Sequence, residues 1–218
     1  MGGSLICPEK IDVDFLKAFK QLLIEQIGKG KRFILITGGG RTARNYQAAA
    51  GEITDLHNDD IDWLGIEATR LNAHLVRTIF HDYANREIVL DPTEKISFNE
   101  KILVAAGWKP GFSTDYDAVL LAKQFKVKKV INLTNTDYVY DNDPKQHPDA
   151  KPFKEMSWKE FRKLVGDEWN PGLNAPFDPV ASMEAEKLKL CVVIINGKDL
   201  IELRKAITGE KFEGTIIN

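Results

Sequence analysis

The chain has 218 residues, enough for one domain with a sizeable core. Its 30 basic and 32 acidic residues nearly cancel, so no general electrostatic field favours DNA, RNA or an anionic membrane. The 2 cysteines lack CxxC spacing and the 4 histidines form no metal-ligand pattern with them, so we expect a reducing, cytoplasmic setting and no structural zinc. Neither a signal peptide nor a membrane-length apolar run is visible, so we expect a soluble protein.

The spacing of apolar residues predicts helices that alternate with strands. The predicted elements are, in chain order, a helix at 12–27, a strand at 33–37, helices at 41–50 and 62–80, strands at 87–90 and 101–106, a helix at 115–125, a strand at 128–133, helices at 157–165 and 179–188, a strand at 190–195, a helix at 198–207 and a strand at 215–217. This alternation predicts an α/β domain with a mostly parallel sheet covered on both faces, and ligands at the carboxyl ends of its strands. The segment 166–176 is predicted to be a lid-like loop.

Three glycines follow the first predicted strand. Gly38, Gly39 and Gly40 precede a predicted helix that begins with Arg41 and also carries Arg44. Glycines let backbone N–H groups approach an oxyanion closely, and arginine adds forked donors. The segment matches neither GK[ST] nor GxGxxG, but it predicts a phosphate cradle; the alternative is a tight strand-to-helix turn.

Two further segments offer polar groups near helix starts. Ser113, Thr114 and Asp115 precede or begin a predicted helix, and capping requires only one of them, so capping and ligand binding both stay open. Asp62 begins another predicted helix, and on its own it is interpreted as an N-cap or first-turn residue.

The segment 134–144 is a polar loop that directly follows the apolar run 130–133. It contains three carboxylates, two aromatic rings and a proline. These groups suit a polar ligand with a flat ring, while the alternative is a hydrophilic turn. The chain has no GxSxG elbow and no cysteine paired in sequence with a histidine, so phosphoryl transfer by positioning and charge neutralisation fits better than a covalent nucleophile.

Taken in order, several segments resemble the amino acid kinase superfamily, and within it the archaeal type of uridylate kinase. They are GGS from Gly2, GGGRTARNY from Gly38, DWLGIEATRLNA from Asp62, PGFSTD from Pro110, TNTDYVYDNDP from Thr134 and FDPVA from Phe177. The resemblance implies a three-layer α/β/α domain over 1–218, with an acceptor-binding lobe at about 1–125 and an ATP-binding lobe at about 126–218. It also implies transfer of the γ-phosphoryl group of ATP to UMP with Mg²⁺, in a hexamer built from dimers.

The resemblance assigns roles residue by residue. Arg41 and Arg44 form the catalytic phosphate clamp. The ATP side comprises Gly2, Gly3, Ser4, Gly40, Arg44, Thr134, Asn135, Tyr140 and Asp143. The UMP side comprises Gly39, Asp62, Lys109, Pro110, Gly111, Phe112, Ser113, Thr114 and Asp115. The metal ligand is left open among Asp115, Asp137 and Asp143.

The sequence also departs from the pattern of its relatives. They have an apolar strand before GGS, so either the sequence is truncated or another segment fills that place. They usually have a lysine where Arg41 stands. They have a glycine where Tyr138 stands, and glycine would suit a positive φ or a close ligand approach. These departures keep two alternatives open: the same fold acting on another small acid or phosphate, and a non-catalytic nucleotide- or oxyanion-binding relative.

Overall fold

The computed structural model describes residues 1–144, 146–166 and 175–218. The chain divides into two compact units, Met1–Leu121 and Ala122–Asn218. The division of function between two lobes stays a prediction. Most of the predicted lid-like loop at 166–176 lies outside the described residues. None of the helices in the described ranges is long and apolar enough to cross a membrane.

The first unit pairs two buried parallel strands with helices. Its elements are α1 (Gly3–Ile6), α2 (Val13–Gly28), β1 (Phe33–Ile36), α3 (Gly40–Ile53), α4 (Asn58–Ile79), β2 (Ile102–Ala105) and α5 (Thr114–Gln124), whose last turn enters the second unit. Strand β1 runs parallel to β2, with Phe33 opposite Ile102 and Ile36 opposite Ala105. Both strands therefore end at the same edge, where the segments after Ile36 and Ala105 begin.

Local sequence signals explain the helix boundaries in this unit. Helix α2 begins where Asp12 accepts a hydrogen bond from the Phe15 N–H at 3.0 Å, and its apolar stripe, including Leu16 and Phe19, is buried. Two predictions were wrong in detail. Helix α4 begins at Asn58 rather than Asp62, and the segment 87–90 forms only an isolated bridge from Val89 to Ala105.

The second unit is built on a mixed sheet. Its described elements are β3 (Lys129–Thr134), β4 (Val139–Tyr140), β5 (Pro152–Phe153), β6 (Glu155–Met156), α6 (Trp158–Val165), α7 (Pro179–Lys187), β7 (Cys191–Asn196), α8 (Leu200–Thr208) and β8 (Thr215–Ile217). The strand order is β3-β7-β8-β6, with β7 and β8 antiparallel and the other neighbours parallel. Strands β4 and β5 form a separate antiparallel pair. The ends of β3 and β7 coincide, since Thr134 lies opposite Asn196.

Helices α5 and α7 end in the same type of turn before they pass into β3 and β7. The Val127 N–H donates to the Ala122 carbonyl oxygen at 2.8 Å, and the Leu190 N–H donates to the Ala185 carbonyl oxygen at 2.9 Å. These bonds define Schellman motifs, whose left-handed position is usually glycine. Here lysines occupy it: Lys126 has φ 54° and Lys189 has φ 51°. Each junction therefore carries local backbone strain.

Candidate active site

The two glycine segments cross backbone against backbone in the first unit. A Cβ on Gly3 would lie 2.2 Å from the Gly40 nitrogen, and a Cβ on Gly40 would lie 2.3 Å from the Gly3 oxygen. Gly40 also has φ +62°, which favours glycine. The structure thus brings together the predicted residues Gly2, Gly3 and Ser4 with Gly39 and Gly40. Because side chains are excluded, this crossing can offer backbone N–H groups to an anion.

Asn72 fixes the crossing from α4. Its side chain is 2% exposed, and Nδ2 donates to the Gly38 oxygen at 2.8 Å and to the Gly39 oxygen at 3.3 Å. A buried amide is costly unless it is hydrogen-bonded, so this pair of contacts specifies where the glycine segment lies. Sequence reasoning missed Asn72. The sequence does contain a signal for it, because Asn72 is a polar residue among the apolar positions that α4 buries.

Arg41 and Arg44 lie at the start of α3, directly after the crossing. Both side chains are exposed, and they are separated by three positions, which places them on one side of the helix. Arginine remains positively charged at physiological pH and binds phosphate oxygens in a fork. The structure therefore puts the two predicted clamp residues next to the glycine segment that they would serve.

Helix α4 also holds the predicted acceptor loop. Oδ2 of Asp62 accepts a hydrogen bond from the Gly111 N–H at 2.8 Å. Arg70 donates from Nη2 to the Trp108 oxygen at 3.1 Å and from Nη1 to Oε1 of Glu67 at 2.7 Å. The interpretation of Asp62 as a cap is therefore wrong, since α4 begins one turn earlier and the carboxylate points to a loop 49 residues away. Arg70 is a second anchor that the sequence did not reveal.

The predicted acceptor loop, residues 108–113, begins a row of aromatic rings that continues into α5, with a cation over its first two rings. The centroids of Trp108 and Phe112 are 5.0 Å apart, as are those of Phe112 and Tyr116. The Lys109 ammonium lies 3.9 Å from the Trp108 centroid and 5.2 Å from that of Phe112. A cation over aromatic faces is attractive and fixes the Lys109 side chain. The predicted residues Lys109 and Phe112 thus pack with Trp108, while Pro110 lies half-buried between them in the chain.

The nearby carboxylate of Asp91 belongs to the same surface. A hydrogen bond from the Thr93 hydroxyl holds the pKa of Asp91 below its ordinary value, and the Trp108 side chain and Lys109 add to this effect. Asp91 therefore stays ionised beside the loop. The sequence analysis did not single out this residue.

The hydroxyl that caps α5 is that of Ser113. Its Oγ accepts a hydrogen bond from the Tyr116 N–H at 3.2 Å, and the helix begins at Thr114. Capping therefore accounts for Ser113, while Thr114 and Asp115 lie in the first turn. Asp115 acts electrostatically on the Met1 amino group: burial lowers the pKa of that amine to about 6, and Asp115 opposes the shift. The helix start thus lies near the first glycine segment.

In the second unit, the carboxyl ends of β3 and β7 are tied together. Oγ1 of Thr134 accepts a hydrogen bond from the Thr136 N–H at 3.2 Å, and the Thr134 oxygen accepts one from the Gly197 N–H at 2.9 Å. Nδ2 of Asn196 donates to Oδ1 of Asp137 at 2.9 Å. The local turn chemistry foreseen for this segment is therefore present. It leaves the side chain of Asn135 exposed at the strand ends.

The rest of the segment 134–144 contains Tyr138, Tyr140 and Asp143. Tyr140 is half-buried, and burial, followed by the charge of Asp137, raises the pKa of its hydroxyl, so the ring stays neutral. Asp143 is exposed, and its backbone oxygen accepts a hydrogen bond from the His147 N–H at 2.8 Å. Tyr138 does not need the conformation that would favour glycine, because the positive-φ non-glycine residues of the described chain are Lys126 and Lys189.

Comparison with known proteins decides the family. The model of the amino acid kinase family matches residues 1–196. The chain belongs to the amino acid kinase family. A uridylate kinase from Thermococcus kodakarensis is 32% identical over 220 residues, covering 100% of this chain and 96% of the relative. A uridylate kinase from Hyperthermus butylicus is 33% identical over 219 residues, covering 100% of this chain and 95% of the relative.

Solved structures support the amino acid kinase fold. The crystal structure of uridylate kinase from Archaeoglobus fulgidus matches with a TM-score of 0.83 and 31% identity, covering 100% of this chain and 97% of that one. The UMP kinase structure from Bacillus anthracis matches with a TM-score of 0.79 at 18% identity, covering 100% and 93% respectively, and supports the fold alone. The predicted α/β class is confirmed.

The carboxylates of this amino acid kinase family member do not form a metal cage in the described ranges, where no group of three or more His, Cys, Asp or Glu residues could hold a metal ion. Magnesium in kinases is commonly bound by one or two carboxylates together with substrate phosphates and water. Asp115, Asp137 and Asp143 each fit the role of a single carboxylate ligand. None of them is preferred over the others by the contacts described above.

Proposed function

We propose that this chain is a nucleoside monophosphate kinase that transfers the γ-phosphoryl group of ATP to UMP, giving UDP and ADP. Relatives bearing the name uridylate kinase align with the whole chain at about the same identity. The Asp62–Gly111 hydrogen bond carries the acceptor assignment, because it joins a carboxylate of α4 to the loop predicted to hold UMP. Asp62 and Gly111, which the sequence analysis assigned separately to the UMP side, are therefore in direct contact.

The glycine crossing suits the phosphate chemistry of this reaction. Phosphoryl transfer requires positioning and neutralisation of charge rather than a protein nucleophile. Gly2, Gly3, Ser4, Gly39 and Gly40 would supply close backbone contacts to phosphate oxygens. Arg41 and Arg44 would neutralise the charge that develops on the transferred group. Mg²⁺ would enter with the ATP phosphates and screen their charge.

The acceptor and donor nucleotides would use the remaining predicted residues. Asp62 and the segment 109–115 would hold UMP, with Thr114 facing the acceptor. Thr134, Asn135, Tyr140 and Asp143 would contact ATP. Tyr140 supports this role because its neutral ring can pack on a base, and Asp143 because its exposed carboxylate can accept hydrogen bonds from ribose.

A coupled assay of ADP release tests the assignment. UMP, CMP, carbamate and amino acid acceptors are compared with the purified full chain, and we expect UMP to give the highest kcat/KM. Arg44→Ala should lower kcat at least tenfold, by loss of a charge-assisted contact in the transition state. Arg204→Ala, which removes a surface arginine paired with Glu210, is the matched control. Turnover of an acid but not UMP contradicts the proposal, as does nucleotide binding without turnover.

We further propose that the enzyme works as a cytoplasmic homo-oligomer. Helices α3 and α4 pack together and expose the large apolar side chains of Tyr46, Ile53, Trp63 and Leu71. Exposed apolar groups on neighbouring helices favour association. The free thiols of Cys7 and Cys191 accord with a reducing compartment. Light scattering coupled to size-exclusion chromatography would give the mass of the assembly. A monomer at micromolar concentration would contradict the proposed homo-oligomer.

A further inference from the structure

Tyr138 makes contacts on two sides in the second unit. Its hydroxyl donates a hydrogen bond to the Glu213 carboxylate, and its ring meets the Tyr140 ring edge-on, with centroids 6.2 Å apart and planes at 90°. Edge-to-face aromatic pairs are favourable and restrict the orientation of both rings. Tyr138 therefore links the ring predicted to contact ATP with a carboxylate 75 residues further along the chain.

The residue between the two tyrosines is firmly held. Val139 is fully buried, and its N–H donates to Oγ1 of Thr215 at 2.9 Å. Since side chains alternate along an extended strand, fixing Val139 in the core directs Tyr138 and Tyr140 to the same side. Their ring contact is thus a consequence of the strand register.

The other end of the link is anchored as well. The Glu213 N–H donates to Oε2 of Glu202 on α8 at 2.6 Å, and Glu202 is paired with Lys205 at 2.7 Å. The hydrogen bond from Lys205, followed by that from the Glu213 N–H, keeps the pKa of Glu202 below its ordinary value. Glu202 is therefore ionised at neutral pH and holds the backbone that presents Glu213.

We propose that Tyr138 and Glu213 form a clasp that fixes the orientation of the Tyr140 ring and thereby sets the affinity for the base of the donor nucleotide. This inference rests on the proposed function, in which Tyr140 contacts ATP. Tyr138 and Glu213 are positioning residues, because they act through Tyr140. A ring held in place before binding loses less conformational freedom when a base packs on it, so the clasp lowers the dissociation constant.

Calorimetric titration with a non-hydrolysable ATP analogue tests the clasp on the full chain. Tyr138→Phe removes only the hydroxyl, and we expect it to weaken analogue binding about threefold to tenfold, as expected for one lost hydrogen bond. The dissociation constant for UMP should stay within about twofold. The Glu213→Ala variant should resemble Tyr138→Phe, and the double variant should be no weaker than either, because both changes break one link.

Glu210→Gln is the matched control, since it removes another carboxylate near the end of α8 that pairs with Arg204 instead. It should leave both affinities unchanged, and thermal unfolding should verify that every variant is folded. Unchanged analogue binding in Tyr138→Phe would overturn the clasp, as would an equal loss for the analogue and UMP. If the wild-type chain binds the analogue but does not phosphorylate UMP, the proposed reaction fails while the Tyr138→Phe comparison still decides the clasp. If it binds no analogue, both fail.

Discussion

Gly3 and Gly40 touch through their backbones, and neither position has room for a Cβ. Gly3→Ala would place a methyl carbon 2.2 Å from the Gly40 nitrogen. Because the obstacle is backbone, we expect the free energy of unfolding to fall by about 3 kcal/mol or more, measured by urea denaturation. Gly51→Ala is the matched control: its Cβ would meet only Leu56 at 3.8 Å, and it should raise stability by roughly 0.5–1 kcal/mol. Equal stability of the two variants would refute the crossing.

Asp62 anchors the loop through Gly111 and is also a predicted nucleotide contact, so its substitution should affect the acceptor nucleotide alone. Asp62→Ala removes the acceptor of the Gly111 N–H, so KM for UMP should rise about tenfold or more, while KM for ATP stays within about twofold. Asp62→Asn keeps an oxygen for Gly111 and should show a smaller rise. Steady-state kinetics with each substrate varied gives both constants. A parallel rise in the KM for ATP would argue against an acceptor role.

Gln26 is a buried amide whose polar atoms make no hydrogen bond within the described part of the chain. Its side chain is 0% exposed, and neither Nε2 nor Oε1 has a partner. An unsatisfied buried amide is destabilising, so Gln26→Met, which keeps the volume, should raise the free energy of unfolding by about 1–2 kcal/mol. Gln21→Met, at an exposed position of the same helix, should change it little. Destabilisation by Gln26→Met would show that the amide has a partner.

Lys126 and Lys189 occupy left-handed positions that glycine adopts without strain. Lys126→Gly and Lys189→Gly should each raise the free energy of unfolding by about 1 kcal/mol, because removal of the Cβ relieves the clash with the neighbouring carbonyl oxygen. Lys187→Gly, in the last turn of α7, should have the opposite sign, since glycine weakens a helix. Chemical denaturation of the three variants gives the comparison. Destabilisation at all three positions would contradict the Schellman geometry.

Regular elements were predictable from sequence because their signals are local. The last strand, Thr215–Ile217, was predicted at its observed bounds, and the predicted helix at 179–188 differs from α7 by one residue. The short helix Gly3–Ile6 was missed, since glycine-rich sequence does not favour a helix. Strands β4, β5 and β6 have two residues each and show no alternation to detect.

The candidate site was predictable only where single segments carry the chemistry. Glycines and arginines at 38–44 predict a phosphate site by their type and spacing. The partner of Asp62 could not be predicted, because Gly111 lies 49 residues away and contributes a backbone N–H that no side chain reveals. The same holds for Glu213, which no motif connects with Tyr138. Tertiary contacts of this kind depend on how the elements pack.

The Lys109 ammonium over Trp108 has a spectroscopic consequence. Indole emission responds to a charge held close to its ring, and here the charge lies 3.9 Å from the centroid. Any ligand that draws Lys109 away from Trp108 will alter the local field and shift the emission of that indole. Trp108, one of 4 tryptophans in the chain, would thus report a displacement of Lys109 as a change in its share of the emission, without an added dye.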